Sequence, residues 1–269
     1  MSRDSKVDGG VIITGAAGGI GRAAAEIFAA RSAAPVVLWD HDPSVHDTAT
    51  EIHSTRVDGS THAEQVDVTD PESVDNAFAA AVDRIGQIDA VVHAAGILET
   101  GSVSELTGAQ WDRCLAVNAT GTMNVTRRAA AVLTANGGGS IVVVTSNAAT
   151  TPRVGMAAYG ASKAAATAFA MALGLEVAAA GVRVNVVSPG STDTPMLRGM
   201  WTEDAAELSE SARDHVLAGD PENFRLGIPL RRVARPEDVA ESIYFLTSAR
   251  ARHITMHDLR VDGGATFDA

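Results

Sequence analysis

Aromatic side chains are scarce in this sequence: among 269 residues there are two Tyr, three Trp and six Phe. Cysteine occurs once, at Cys114, which excludes an internal disulfide; a helical position there suits a small, buried apolar side chain. Positive charge is also in short supply. The 21 Lys and Arg face 33 Asp and Glu, and the formal charge of −12 argues against nucleic acid or an anionic membrane surface as a partner. No run approaches the roughly eighteen apolar residues of a membrane span, and MSRDSKVDGG lacks the apolar centre of a signal peptide. A cytoplasmic protein is expected, so the sequons at Asn118 and Asn124 read as coincidence. The eight His form no H-E-x-x-H or Cys/His grouping, so no metal is expected.

What the chain does contain is a rhythm. Short β-branched runs, VIIT at 11–14, VVLW at 36–39, AVVH at 90–93, IVVVT at 141–145 and VRVNVV at 182–187, alternate with longer Ala-rich segments. Such alternation predicts βαβ units and a parallel sheet with helices on both faces. Pro71 and Pro236, each followed by acidic residues, predict helix starts, and the glycines at 137–139 a helix-to-strand turn. No linker divides the chain, so residues 10–269 are expected to form one domain behind a disordered segment at 1–9. Residues 191–230 show no strand pattern, and Met196, Met200, Trp201 and Phe224 are scattered among charges there. A lid over a site, at about 191–228, is the functional expectation; helices packed on the surface are the plainer one.

After the first strand comes TGAAGGIG, residues 14–21, opening a helical run. Glycines in a strand-to-helix turn let the backbone approach a ligand, and the helix N-terminus offers free N–H groups to a pyrophosphate. Asp40 ends the second strand nineteen residues after Gly21. A carboxylate there accepts hydrogen bonds from ribose hydroxyls and repels a 2′-phosphate, which favours NAD over NADP. Against this stands Arg22, just after the loop, and a local turn role for Asp40 with Asp42-Pro43.

One of the two tyrosines lies in TPRVGMAAYGASKAAA, residues 151–166, with Lys163 four residues beyond Tyr159. On a helix the pair shares one face. Alone, that spacing is commonplace. TGAAGGIG, then Asp67-Val68, HAAG at 93–96, Asn118, Ser146, Tyr159 with Lys163, Pro189-Gly190 and a Val261-Asp262-Gly263-Gly264 tail, taken in order, resemble the short-chain dehydrogenase/reductase family.

The resemblance implies a single doubly wound Rossmann domain with a seven-stranded parallel sheet, a nicotinamide cofactor, and a tetrad carried by Asn118, Ser146, Tyr159 and Lys163. It places the cofactor along Gly15, Ala17, Gly19, Ile20, Gly21, Asp40, Asp67, Val68, Ala94, Ala95, Gly96, Tyr159, Lys163, Pro189, Gly190 and Thr192. His93 departs from the Asn most usual there. In this reading Lys163 and the cationic nicotinamide ring lower the pKa of Tyr159, about 10 when free, so that it removes a proton from a substrate alcohol. Ser146 holds the same oxygen, Lys163 grips the nicotinamide ribose, and Asn118 anchors a water leading protons from Lys163. The small Gly160, Ala161 and Ser162 leave room for the cofactor or make a helix-packing face.

The second half of the chain, including FRLGIPLRRVARPEDVAESIYFLTS, is similar to the 2,3-dihydro-2,3-dihydroxybenzoate dehydrogenases of catecholate siderophore formation. That likeness implies oxidation of a C3 alcohol by NAD+ on a small anionic dihydro-aromatic acid, in a homotetramer or dimer. Arg153 is then a candidate for the ring carboxylate, and Met156 for apolar contact with the ring. Three alternatives stay open: a trans-2,3-dihydro-3-hydroxyanthranilate dehydrogenase, an NADP-dependent carbonyl or 3-oxoacyl reductase, and a non-catalytic nucleotide sensor.

Overall fold

A computed structural model describes residues 9–56, 58–202 and 206–266. Apart from Gly9, the segment expected to be disordered lies outside the described residues.

Each β-branched run forms a strand: β1 (Gly10–Thr14), β2 (Val36–Asp40), β4 (Ile88–His93), β5 (Gly139–Val144) and β6 (Val182–Pro189). With β3 (Thr61–Gln65) and β9 (Asp258–Val261) they make one seven-stranded sheet, ordered β3-β2-β1-β4-β5-β6-β9, whose neighbours all pair in parallel. Successive strand residues point to opposite faces, so two cores result. Val11, Ile13, Val36 and Leu38 pack under α1 (Gly19–Arg31), α2 (Val45–Thr55) and α9 (Pro236–Thr247). Ile12, Val37, Trp39 and Ile141 pack under α3 (Pro71–Ile85), α5 (Gly121–Ala135) and α6 (Ala157–Val177). The chain order reverses between β1 and β4, which opens a crevice at the C-terminal strand ends.

The expected helix starts are present, with Pro71 and Pro236 in the first turns of α3 and α9; Asp70 caps α3 by accepting from Glu72 N at 2.9 Å. A regular helix is interrupted before α5. The short α4 (Gly108–Cys114) runs into a π-helical turn, Leu115–Thr120, that carries Asn118.

Two sequence expectations need correction. Residues 191–228 do contain strands: after α7 (Pro195–Arg198) and α8 (Glu210–Ala218), β7 (Gly219–Asp220) and β8 (Arg225–Leu226) form an antiparallel ribbon. Two residues per strand are too few to leave a periodic pattern. In addition, α6 with the turn behind it, 157–180, is long and apolar enough to cross a membrane by length and composition. It packs along β6 on one side and carries the buried Lys163, while much of its apolar surface is outward-facing.

Candidate active site

A cavity of about 290 Å³ opens at the ends of β4, β5 and β6. Ser146, Arg153, Met156, Tyr159 and Lys163 line it, as do Ile20, Ala94, Gly96, Pro189, Gly190 and Thr192 of the expected cofactor track. Segment 191–228 supplies one wall, through residues including Met196, Met200 and Arg225. Phe224 does not join them: it is 92% exposed at the ribbon tip, in a left-handed conformation with φ of 54°. Gly15, Ala17, Gly19, Gly21, Asp40, Asp67, Val68 and Ala95 do not line this cavity; they follow the C-terminal ends of β1 to β4.

The glycine loop fits a dinucleotide. Gly15 has φ of +66°, and a Cβ there would lie 2.7 Å from Ala95 N and 2.8 Å from Ala94 O, so β1 and β4 approach through this residue. Gly21 is packed harder: its Cβ would fall 2.1 Å from Gly15 O, so the first turn of α1 sits on the loop itself. The α1 N-terminus has no side-chain cap and no acidic residue in its first turn, and the space in front of Gly18 is open. Its N–H groups are thus left for an anion. Asp40 accepts from Ala17 N at 2.9 Å and from Asp42 N at 3.0 Å. The local turn role is therefore real, and each carboxylate oxygen keeps a lone pair for a ribose hydroxyl. Arg22 is turned away, hydrogen-bonded to Glu26 and Glu51. The Asp67 carboxylate is turned onto Thr69 N and Oγ1, at 2.8 and 2.7 Å.

Tyr159 and Lys163 stand one turn apart on α6, and Ser146 follows β5. Ser146 Oγ accepts from Ala148 N at 3.1 Å and also hydrogen-bonds the Tyr159 phenol. Lys163 Nζ lies 5.9 Å from the Tyr159 ring centroid and donates to Val144 O at 3.1 Å. Burial raises the Tyr159 pKa, and the Ser146 hydrogen bond offsets part of that rise. Desolvation pushes Lys163 itself down to about 8, and its Nζ is held by the β5 carbonyl.

Asn118 is fully buried in the π-helical turn. Its Oδ1 accepts from Ile97 N, and its Nδ2 donates to Ile97 O and Ser162 Oγ, each at 2.9 Å. Ser162 Oγ in turn donates to Tyr159 O at 2.8 Å. Both amide hydrogens are committed, so the side chain clamps the chain after β4 to the helix bearing Tyr159. Of the small α6 residues, Gly160 abuts Ala148 O, where a Cβ would lie at 3.1 Å, and Ser162 is part of the clamp, whereas Ala161 is exposed. Neither sequon is reachable, since Asn118 is 0% and Asn124 3% exposed.

His93 has a role that the sequence did not disclose. Thr14 Oγ1 accepts from Ala94 N and Ala95 N, both at 3.1 Å, so its hydrogen goes to His93 Nδ1, 2.9 Å away. That pattern requires a neutral ring, consistent with a pKa lowered to about 3 by burial and by the Lys163 charge. The imidazole thereby fixes the turn leading to Gly96, where a Cβ would lie 2.9 Å from Lys163 Nζ. Cys114 is buried as expected, and its electrostatic influence on Tyr159 and Lys163 places it against the site.

Residues 15–266 match a family model described as enoyl-(acyl carrier protein) reductase. A 2,3-dihydro-2,3-dihydroxybenzoate dehydrogenase of Bacillus subtilis (strain 168) is 41% identical over 257 residues, 95% of either chain. The Escherichia coli (strain K12) protein of that name is 41% identical over 261 residues, covering 96% of this chain and 97% of its own. The solved structure of a short-chain type dehydrogenase/reductase from Mycobacterium ulcerans superimposes with a TM-score of 0.85 at 29% identity, covering 97% of this chain and 90% of that one. With strand order, glycine turn and the Ser146–Tyr159–Lys163 grouping in agreement over almost the whole length, the chain belongs to the short-chain dehydrogenase/reductase family.

Proposed function

We propose that this protein oxidises the C3 alcohol of 2,3-dihydro-2,3-dihydroxybenzoate with NAD+, giving 2,3-dihydroxybenzoate for catecholate siderophore formation. One observation carries the reading beyond the family's general chemistry: the cavity that holds the Tyr159 phenol also holds the Arg153 guanidinium, as a carboxylate-bearing cyclic alcohol requires. The names of the Bacillus subtilis and Escherichia coli relatives support it.

When bound, NAD+ would supply the hydride acceptor and a positive charge. The α1 N-terminus and Asp40 would hold its pyrophosphate and adenosine ribose, and Lys163 its nicotinamide ribose. Ser146 fixes the C3 oxygen by a hydrogen bond, while Tyr159 accepts the hydroxyl proton as the C3 hydrogen leaves with its electron pair. Met156, Met196 and Met200 exclude water around the ring. The C3 ketone then loses its C2 hydrogen as a proton and gains one on oxygen. Aromatisation of the ring pulls an otherwise unfavourable alcohol oxidation forward. Incubating the protein with the dihydro-acid and NAD+ tests this: appearance of NADH with a catechol acid is expected, and neither product would end the reading.

Coenzyme choice rests on Asp40. Asp40→Ala is expected to raise KM for NAD+ about tenfold and to lower the NAD+/NADP+ preference, read by titrating each coenzyme against one substrate. An unchanged ratio would assign the carboxylate to the turn alone.

Assembly as a cytoplasmic homotetramer, or a dimer, belongs to the same proposal. Leu175 on α6 is 71% exposed, and much of this apolar helix faces outward. Such a face calls for a partner. Light scattering is expected to give a mass two or four times that of the chain, and a monomer would refute it.

A further inference from the structure

Two guanidiniums face the cavity. Arg225, on β8, lines it and donates from Nη2 to Ser191 Oγ at 3.0 Å, so its head group is anchored at the wall. Arg153 lines it from the loop before α6, and its guanidinium makes no hydrogen bond or ion pair among the described residues. Among the described residues neither guanidinium forms an ion pair with a carboxylate, although Asp220 and Asp262 act on them from a distance. Asp220, the cross-strand partner of Arg225, also lines the cavity; its carboxylate is hydrogen-bonded not to Arg225 but to Asn223 N and Nδ2, at 3.3 and 2.7 Å, and lies 4.0 Å from His215. Asp262 influences Arg153 from a distance, while its oxygens accept from Asn147, Gly264 and Thr266.

The two arginines are close enough to act on each other. Arg153 is held below its ordinary value by burial first and by the Arg225 charge second. Like charges gathered in a partly dry cavity, with no carboxylate bonded to either, repel, and an anion between them removes that repulsion while accepting paired N–H bonds. The ribbon adds direction. Gly219 opens β7 at φ of +82°, and a Cβ there would lie 2.4 Å from Gly227 N, so β7 and β8 meet tightly and Arg225 is presented from a fixed frame.

We infer that Arg225 and Arg153 together seat the substrate carboxylate, and that this paired seat makes the site prefer a neutral substituent at ring C2 over an ammonium. The inference rests on the dihydro-aromatic acid reading above. C2 adjoins the carbon that bears the carboxylate, so a protonated amine there would be carried toward both guanidiniums. The geometry thus favours the 2-hydroxy acid over its 2-amino counterpart.

The test uses the full chain in its native assembly and three variants, Arg225→Gln, Arg225→Lys and Arg153→Ala. KM and kcat are measured for 2,3-dihydro-2,3-dihydroxybenzoate and for a neutral cyclohexenol, and 2,3-dihydroxybenzoate binding is followed by protein fluorescence. Tm and KM for NAD+ report on folding and coenzyme. Arg225→Gln and Arg153→Ala are each expected to raise KM and Kd for the acids about tenfold or more, with kcat and the KM for the neutral alcohol little changed. Arg225→Lys should recover part of the loss. Equal effects on acid and alcohol, or none on either, would overturn the seat. In the wild type the 2-hydroxy acid should exceed the 2-amino acid in kcat/KM, and parity would overturn the C2 preference. Should the wild type bind 2,3-dihydroxybenzoate through Arg225 yet leave the dihydro-acid unoxidised, the seat stands and the proposed reaction falls.

Discussion

Tyr159→Phe is expected to lower kcat about a thousandfold, within the range typical of a lost general base, while Tm and KM for NAD+ hold. The substitution removes one oxygen. The ring, its place on α6 and the Asn118–Ser162 clamp on the Tyr159 carbonyl are retained, so a large loss of rate cannot be put down to misfolding. Burial raises the phenol above its ordinary value, and a base works only when deprotonated. Wild-type kcat/KM should therefore climb with pH on the alkaline side and be lost as pH falls. The Phe variant should lack that limb. Retention of more than a tenth of wild-type turnover would remove Tyr159 from the reaction and take the proposed chemistry with it.

Lys163→Met is expected to stop turnover and to stabilise the fold. In the folded chain the Lys163 pKa is about 8, against 10.5 for the unperturbed group. Below pH 8 both folded and unfolded chains carry the proton, and the full cost of burying the ammonium is present. Between the two values the unfolded chain holds a proton that the folded chain has released, so wild-type stability rises with pH across this window. Removing the charge should recover on the order of 3 kcal/mol at neutral pH, less about 1 kcal/mol for the lost bond to Val144 O. A Tm increase of about 5 °C follows for a chain of this size. Stability of the Met variant should also be flat where the wild type rises. A variant that unfolds earlier at pH 7 would mean that the lysine is structural.

The interior of the sheet was open to reading from sequence because β1, β2, β4, β5 and β6 are covered on both faces and are therefore predominantly apolar. Edge strand β3, THAEQ, has no fully buried residue and so no apolar signature. The π-helical turn was hidden because LAVNAT has an ordinary helical composition; only the hydrogen-bond register changes. Tyr159, Lys163 and Ser146 came through by spacing and order within a known family pattern. Arg225 did not, since an arginine between Phe224 and Leu226 resembles any solvated residue until the β7–β8 ribbon turns it toward Ser191. Lys163 shows a further limit: its position was evident, but not that burial lowers its own pKa to about 8.

The inaccessibility of Asn118 and Asn124 bears on how the protein can be made. A secretory host attaches oligosaccharide to nascent Asn-x-Thr before the chain closes, and both tripeptides here satisfy that rule. A branched sugar at either nitrogen would have to occupy the volume of the Ile97 or Val68 main chain. Expression routed through the endoplasmic reticulum should trap the polypeptide in a form that never assembles its core, whereas bacterial expression faces no such obstacle.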